Sequence, residues 1–178
     1  MRILVATDAW RPQVNGVVRS LEMLKEASGH FGAEIEFLTP QEFYTFPMPG
    51  YSEISLSLAY PSYVRRRIER GYDHVHIATE GPIGQITRTV CLRNRICFTT
   101  SFHTLFPEYV QARCGLPVSL SYNVLRRFHN ASAGIMVSTP SLAKNLNSRG
   151  FRSLLRWTRG VDHNLYSPRK AISLGLPK

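Results

Sequence analysis

Three places along this chain carry residue types able to hold or transform a ligand. The first is Asn15-Gly16-Val17, where a polar turn enters a helical pattern. A residue without Cβ there lets a ligand approach the first unsatisfied N–H groups of the helix, and the helix dipole favours an anion such as a phosphate or diphosphate. A glycine that only turns the chain is the alternative, since neither a G-x-G-x-x-G nor a Walker pattern is present. The second is Glu80, in Thr79-Glu80-Gly81-Pro82-Ile83-Gly84. It either meets a ligand or complements the dipole of the helix that follows. The third is His103, directly after an apolar strand candidate, where an imidazole either exchanges hydrogen bonds with a ligand near neutral pH or serves only as a packing histidine.

Other side chains are weaker candidates. His74 and His76 share one face of a strand, a spacing that can ligate a metal, but no partnering Cys or His motif stands near, so both are expected to pack or hydrogen-bond. Arg65, Arg66, Arg67 and Arg70 crowd one short helix, either as a solvated face or as a patch for anionic lipid or substrate phosphate. Cys91, Cys97 and Cys114 are odd in number and lack C-x-x-C spacing, against a disulfide framework and for a reducing, cytoplasmic setting. Twenty-two Lys and Arg against twelve Asp and Glu leave a formal charge of +10, so polyanions fit. Nucleic acid is not expected, because no aromatic RNA-binding motif or helix-turn-helix pattern accompanies that charge. Four apolar residues before Asp8 are too few for a signal peptide, and no apolar run spans a bilayer.

The elements that must position these groups alternate. A strand at Ile3–Ala6 leads to a helix from Val17 with Val17, Leu21, Leu24 and Ser28 on its inner face. A strand over 33–39 stops at Pro40. Residues 41–60 read as an aromatic, proline-rich loop with one short strand at 53–58; the loop could cover the core edge, stack on a sugar or dip into a membrane interface. A helix over 61–70 follows, then a strand at 73–79, a helix to about Arg93, and a strand at 96–101. A short segment from Phe106 ends at Gly115. The next helix, over 118–130, is expected to turn Leu120, Val124, Leu125 and Phe128 inward. A strand at 133–137, a helix from Thr139-Pro140 to Gly150 and a strand at 154–157 complete the set. Six or seven strands alternating with helices predict an α/β, Rossmann-like doubly wound parallel sheet, with ligands beyond the carboxyl ends of its strands. After Asp162 the pattern dissolves, and 163–178 reads as a linker.

Several motifs in this order carry a resemblance: Pro12-Gln13-Val14-Asn15-Gly16-Val17-Val18-Arg19, the His76 to Gly84 run, Thr100-Ser101-Phe102-His103-Thr104 with Phe106-Pro107-Glu108-Tyr109, Phe128-His129-Asn130-Ala131, Val137-Ser138-Thr139-Pro140-Ser141 and Arg159-Gly160-Val161-Asp162. Together they resemble the N-terminal domain of family-four glycosyltransferases, nearest the bacterial α-mannosyltransferase and glycolipid branch. The resemblance implies a GT-B enzyme of two Rossmann-like domains that moves a hexose from a nucleotide-sugar to a lipid or glycan acceptor, with retention and without an essential metal or other cofactor. It implies that Asn15, Gly16 and Val17 approach the donor diphosphate and that His103 contacts the donor sugar. Asp8 and Glu80 fall on the acceptor side, and Arg159, Gly160 and Asp162 mark the hinge. The implied partners are the nucleotide-sugar, the acceptor, an anionic membrane on its inner face, and a C-terminal domain encoded separately or missing from these 178 residues. A chain reduced to residues 1–162 and a linker is expected to turn over weakly or not at all. The competing expectation is a non-catalytic basic module that docks on anionic membranes.

Overall fold

The computed structural model describes residues 1–48, 51–103, 111, 117–158 and 160. All but residue 111 of the expected segment 106–115, Cys114 included, the tail 163–178, and Arg159 and Asp162 of the expected hinge lie outside them. Six strands form one all-parallel sheet: β1 (Arg2–Ala6), β2 (Glu34–Leu38), β5 (His74–Ile77), β6 (Phe98–Phe102), β7 (Gly134–Val137) and β8 (Leu154–Arg156), in the order β2-β1-β5-β6-β7-β8. Near-continuous apolar runs such as Ile3-Leu4-Val5-Ala6 suit strands covered on both faces. The connection reverses direction at β1, which has β2 on one side and β5 on the other. Their carboxyl ends therefore flank the crevice where open α/β sheets receive ligands.

The helices divide unevenly between the faces. Leu4, Ala6, Val75, Ile77 and Phe98 pack with α2 (Pro61–Ile68), α3 (Pro82–Arg93) and Phe128 of α4 (Val118–His129). Phe102, Ile135 and Val137 continue that face against Tyr122, Leu125 and α5 (Pro140–Ser148). On the other face Val5, Ile35 and Ala78 meet α1 (Gly16–Ser28) through the fully buried Leu21, with Val17 and Leu24 partly buried beside it. Burying one such leucine contributes roughly 2 kcal/mol. The inner face of α4 differs from the expected one: Leu120 and Val124 are exposed, and Tyr122, Leu125, Phe128 and His129 point inward. Counting only apolar positions had hidden the tyrosine and the histidine.

The aromatic loop is a hairpin. β3 (Thr45–Met48) pairs antiparallel with β4 (Tyr51–Ser57), apart from the main sheet. Pro47 obscured the first strand, because proline demotes a strand pattern unless the strand is an edge. Its base is closed by Leu58 N–H donating to Tyr44 O at 2.8 Å and by the rings of Phe43, Tyr60 and Tyr63, whose centroids lie 5.3 to 6.1 Å apart.

Arg67 corrects the four-arginine patch. Its side chain is 9% exposed and donates to Glu36 Oε2 and Glu42 Oε2, each at 3.1 Å, and to Phe37 O at 3.1 Å. Tyr72 Oη donates to Glu36 Oε2 at 2.7 Å, and Tyr63 Oη to Glu42 Oε2 at 2.8 Å. The helical period sends Arg67 toward the sheet with Val64 and Ile68, while Arg65, Arg66 and Arg70 stay outside. The Tyr72 hydrogen bond, with Arg2 and Arg67, outweighs desolvation and holds the Glu36 carboxyl down at about 2 instead of 4.5. A lowered carboxylate pKa stabilises the fold fully above the unfolded value and ceases to do so as pH falls through the folded one. The thermal midpoints of wild type and Glu36→Gln should therefore differ at neutral pH and converge as the pH drops from 4.5 toward about 2. A gap that persists unchanged would show that the carboxylate charge is not what the network uses.

Candidate active site

At the carboxyl ends of β1 and β5 the polar groups converge. Thr7 Oγ1 accepts from Ala9 N–H at 3.1 Å and so shapes the turn into Asp8. Asp8 Oδ1 accepts from Ile83 N–H at 2.8 Å, and Oδ2 accepts from Thr79 Oγ1 at 2.8 Å and Gly84 N–H at 3.3 Å. The carboxylate of one strand end thus caps α3, which follows the other, and a helix N-terminus is where an anion is welcome. Burial nonetheless pushes the Asp8 carboxyl up, against the lowering from those hydrogen bonds. Gly81 and Gly84 are required by this close packing. A Cβ on Gly81 would sit 2.4 Å from Asp8 Cγ, and one on Gly84 would sit 1.9 Å from the Thr79 carbonyl oxygen.

Glu80 lies at the same edge, about a third exposed, with Oε1 3.0 Å from His129 Nε2. His129 Nδ1 is 2.9 Å from Thr100 Oγ1, and the ring is fully buried. This histidine belonged to the Phe128-His129-Asn130-Ala131 motif, but nothing in that run shows that it reaches a carboxylate 49 residues earlier in the chain. The signal available was a polar residue at an inward position of α4.

The loop from Arg11 to Asn15, with Val18, Arg19 and Glu22, surrounds an open pocket of about 450 Å³. Asn15 caps α1 itself: its Oδ1 accepts from Val17 N–H and Val18 N–H, both at 3.0 Å. The expectation that the Val17 amide stands open to a phosphate is therefore corrected. An anion binding there must take those donors from Asn15, because N-cap side chains satisfy the orphan amides that would otherwise receive it.

His103 closes a second pocket of about 360 Å³ with Thr139, Ser141, Leu142 and Asn145. Its ring stands edge-on to Trp157 at 6.0 Å between centroids. Trp157 in turn lines a cleft with Ser20, Met23, Leu24 and Ala27 of α1 and with Gly160. Gly160, the one residue of the expected hinge among those described, lines that cleft. His74 and His76 are packed as expected. Thr99 Oγ1 lies 2.9 Å from His74 Nε2 and 2.8 Å from His76 Nδ1, and Ser101 Oγ lies 2.8 Å from His76 Nε2. Burial, reinforced by His103 and His74, pushes the His76 imidazole down to about 3, so it stays neutral. Among the described residues no three His, Cys, Asp or Glu side chains cluster as metal ligands, and no helix is long and apolar enough to cross a membrane.

Known proteins resemble this chain. It is 31% identical over 124 residues to an alpha-monoglucosyldiacylglycerol synthase of Acholeplasma laidlawii, covering 61% of this chain and 31% of that one. It is 24% identical over 189 residues to a GDP-mannose-dependent alpha-mannosyltransferase of Corynebacterium glutamicum, covering 96% and 46% respectively. A protein of the same description from Mycobacterium tuberculosis is 21% identical over 188 residues, covering 94% and 50%. The chain thus spans half or less of the length of these relatives. The model of glycosyltransferase family 4 matches residues 14–165, and the chain belongs to that family.

Proposed function

We propose that this chain forms the acceptor-side half of a retaining hexosyltransferase that uses a nucleotide-sugar, with mannose the favoured sugar, and a lipid or glycan acceptor. The observation that carries the reading is the convergence at one sheet edge: the α1 amides, Asp8 and Glu80 at the switch point, and His103 past β6. Two of the relatives are described as GDP-mannose-dependent, and the third as a synthase of a glucosylated diacylglycerol.

In this reading residues 1–162 are one domain, 163–178 a linker, and the donor half lies beyond, hinged at Arg159, Gly160 and Asp162. The donor diphosphate displaces Asn15 from the α1 amides, which then face the charge that develops as the sugar–phosphate bond breaks. His103 hydrogen-bonds the sugar and holds its reacting carbon in line with the acceptor. Asp8 fixes the start of α3, and Glu80 receives the acceptor. No metal is essential. The enzyme works from the inner face of the cytoplasmic membrane, where exposed Arg65, Arg66 and Arg70 face anionic lipid.

The test is transfer of radiolabel from GDP-mannose or UDP-glucose to dioleoylglycerol vesicles. The purified 178-residue chain should give fewer turnovers than one per molecule; sustained turnover would refute the half-enzyme reading. A second reading, a basic membrane module without catalysis, is favoured by the exposed Tyr44, Phe46, Leu58 and Tyr60 near that arginine helix. Vesicle co-sedimentation that responds to anionic lipid but not to acceptor or nucleotide-sugar would support it instead.

A further inference from the structure

The His129–Glu80 pair is more than packing. The imidazole is fully buried and lies against Phe102, Phe128 and Phe151, with ring centroids at 5.4, 5.0 and 6.1 Å. An aromatic hydrocarbon would fill that cage without the cost of desolvating two ring nitrogens. Both nitrogens have partners, and the proton inventory orients them. An ionised Glu80 only accepts, so Nε2 must carry a proton, and in the neutral ring Nδ1 accepts from the Thr100 hydroxyl. The end of α4 is itself fixed: Arg88 Nε donates to Phe128 O at 3.0 Å and Arg88 Nη2 to Arg127 O at 2.9 Å, while Ser132 Oγ donates to His129 O at 2.7 Å. The carboxylate is thereby tied through one oxygen to a rigid helix end and a central strand, with Oε2 left to a ligand at the switch point.

Charge selects what that ligand is. Asp8 stands close enough to Glu80 for the two carboxylates to interact unfavourably, so this corner of a strongly basic chain repels phosphate. The α1 loop, where Arg19 stands beside the Arg11–Glu22 ion pair, keeps a net positive charge around its pocket and attracts it. An oriented carboxylate that turns phosphate away suits a neutral O–H donor.

We propose that His129 is a positioning residue that holds Glu80 to bind a hydroxyl of the acceptor, from either a sugar or a glycerol. This rests on the acceptor-side reading above. Two substitutions separate a positioning role from a packing one. The amide nitrogen of His129→Gln falls where Nε2 lies and can still donate to Glu80; that of His129→Asn falls where Nδ1 lies and cannot. The probes are methyl α-mannopyranoside in solution, titrated calorimetrically, and dioleoylglycerol in phosphatidylcholine vesicles, followed by co-sedimentation; the arm that binds identifies the source of the hydroxyl. Loss of a hydrogen bond to a charged group predicts that His129→Asn and Glu80→Gln each weaken binding at least about tenfold, with His129→Gln within about threefold of wild type. Imidazole ¹⁵N shifts of the wild-type chain should show Nε2 protonated. An Nδ1-only proton, or His129→Asn binding as tightly as wild type, overturns the inference and leaves the functional reading standing. Wild-type chain that binds neither probe overturns both the functional reading and the hydroxyl ligand. If His129→Asn does not fold, the ¹⁵N shifts and the comparison of Glu80→Gln and His129→Gln with wild type decide.

Discussion

Replacing Gly84 with alanine should destabilise the domain by about 3 kcal/mol or more, a loss read directly from urea unfolding followed by circular dichroism. The added carbon would lie 1.9 Å from the carbonyl oxygen and 3.0 Å from the carbonyl carbon of Thr79, which is backbone and cannot swing aside. Relief requires the first turn of α3 to move away from the end of β5. That movement draws the Ile83 and Gly84 amides off Asp8, leaving a half-buried carboxylate with only the Thr79 hydroxyl to compensate its desolvation. Gly29→Ala is the matched control. Gly29 has helical dihedrals and nothing within 4 Å of an added Cβ, so the same methyl should be neutral or slightly stabilising there. Equal losses at both positions would mean that the packing at the switch point is looser than described.

The second large effect belongs to Arg67. Arg67→Ala leaves Glu36 to Arg2 and Tyr72 and Glu42 to Tyr63, and should cost about 3 kcal/mol, the low end for breaking an ion pair of this kind because those donors remain and some water reaches both carboxylates, 29% and 22% exposed. The triple change Arg65→Ala, Arg66→Ala, Arg70→Ala should behave oppositely. The Arg65–Glu69 pair is exposed and contributes a few tenths of a kcal/mol at most, so the thermal midpoint should barely move while co-sedimentation with anionic vesicles falls. If Arg67→Ala reduces vesicle binding without loss of stability, the inward network is not what holds it.

Much of this architecture was legible because each parallel strand announces itself twice, by an apolar run and by the amphipathic helix that returns the chain. Positions on α1 such as Leu21 follow from period alone. What escaped were relations between distant residues and positions where polarity and burial disagree. Arg67 and His129 are polar residues at inward helical positions, and a pattern that scores only hydrophobicity discards them. Pro47 hid an edge strand. Asn15 and Gly16 marked a helix start correctly, but which donor that cap would occupy depends on a side-chain torsion that spacing does not encode. At the switch point, Asp8 and Gly84 are 76 residues apart and meet only once the sheet order is known.

The hairpin of β3 and β4 has its entry and exit stapled together by the domain itself. Glu42 precedes it, Tyr63 and Arg67 follow it, and both donate to the Glu42 carboxylate, with Phe43 and Tyr60 edge to face at the neck. A loop whose two feet are already joined can lengthen, shorten or change composition for little entropic cost, since each doubling adds only about 0.6 kcal/mol. The segment between those two feet can therefore vary in length and composition while the fold around it stays as it is.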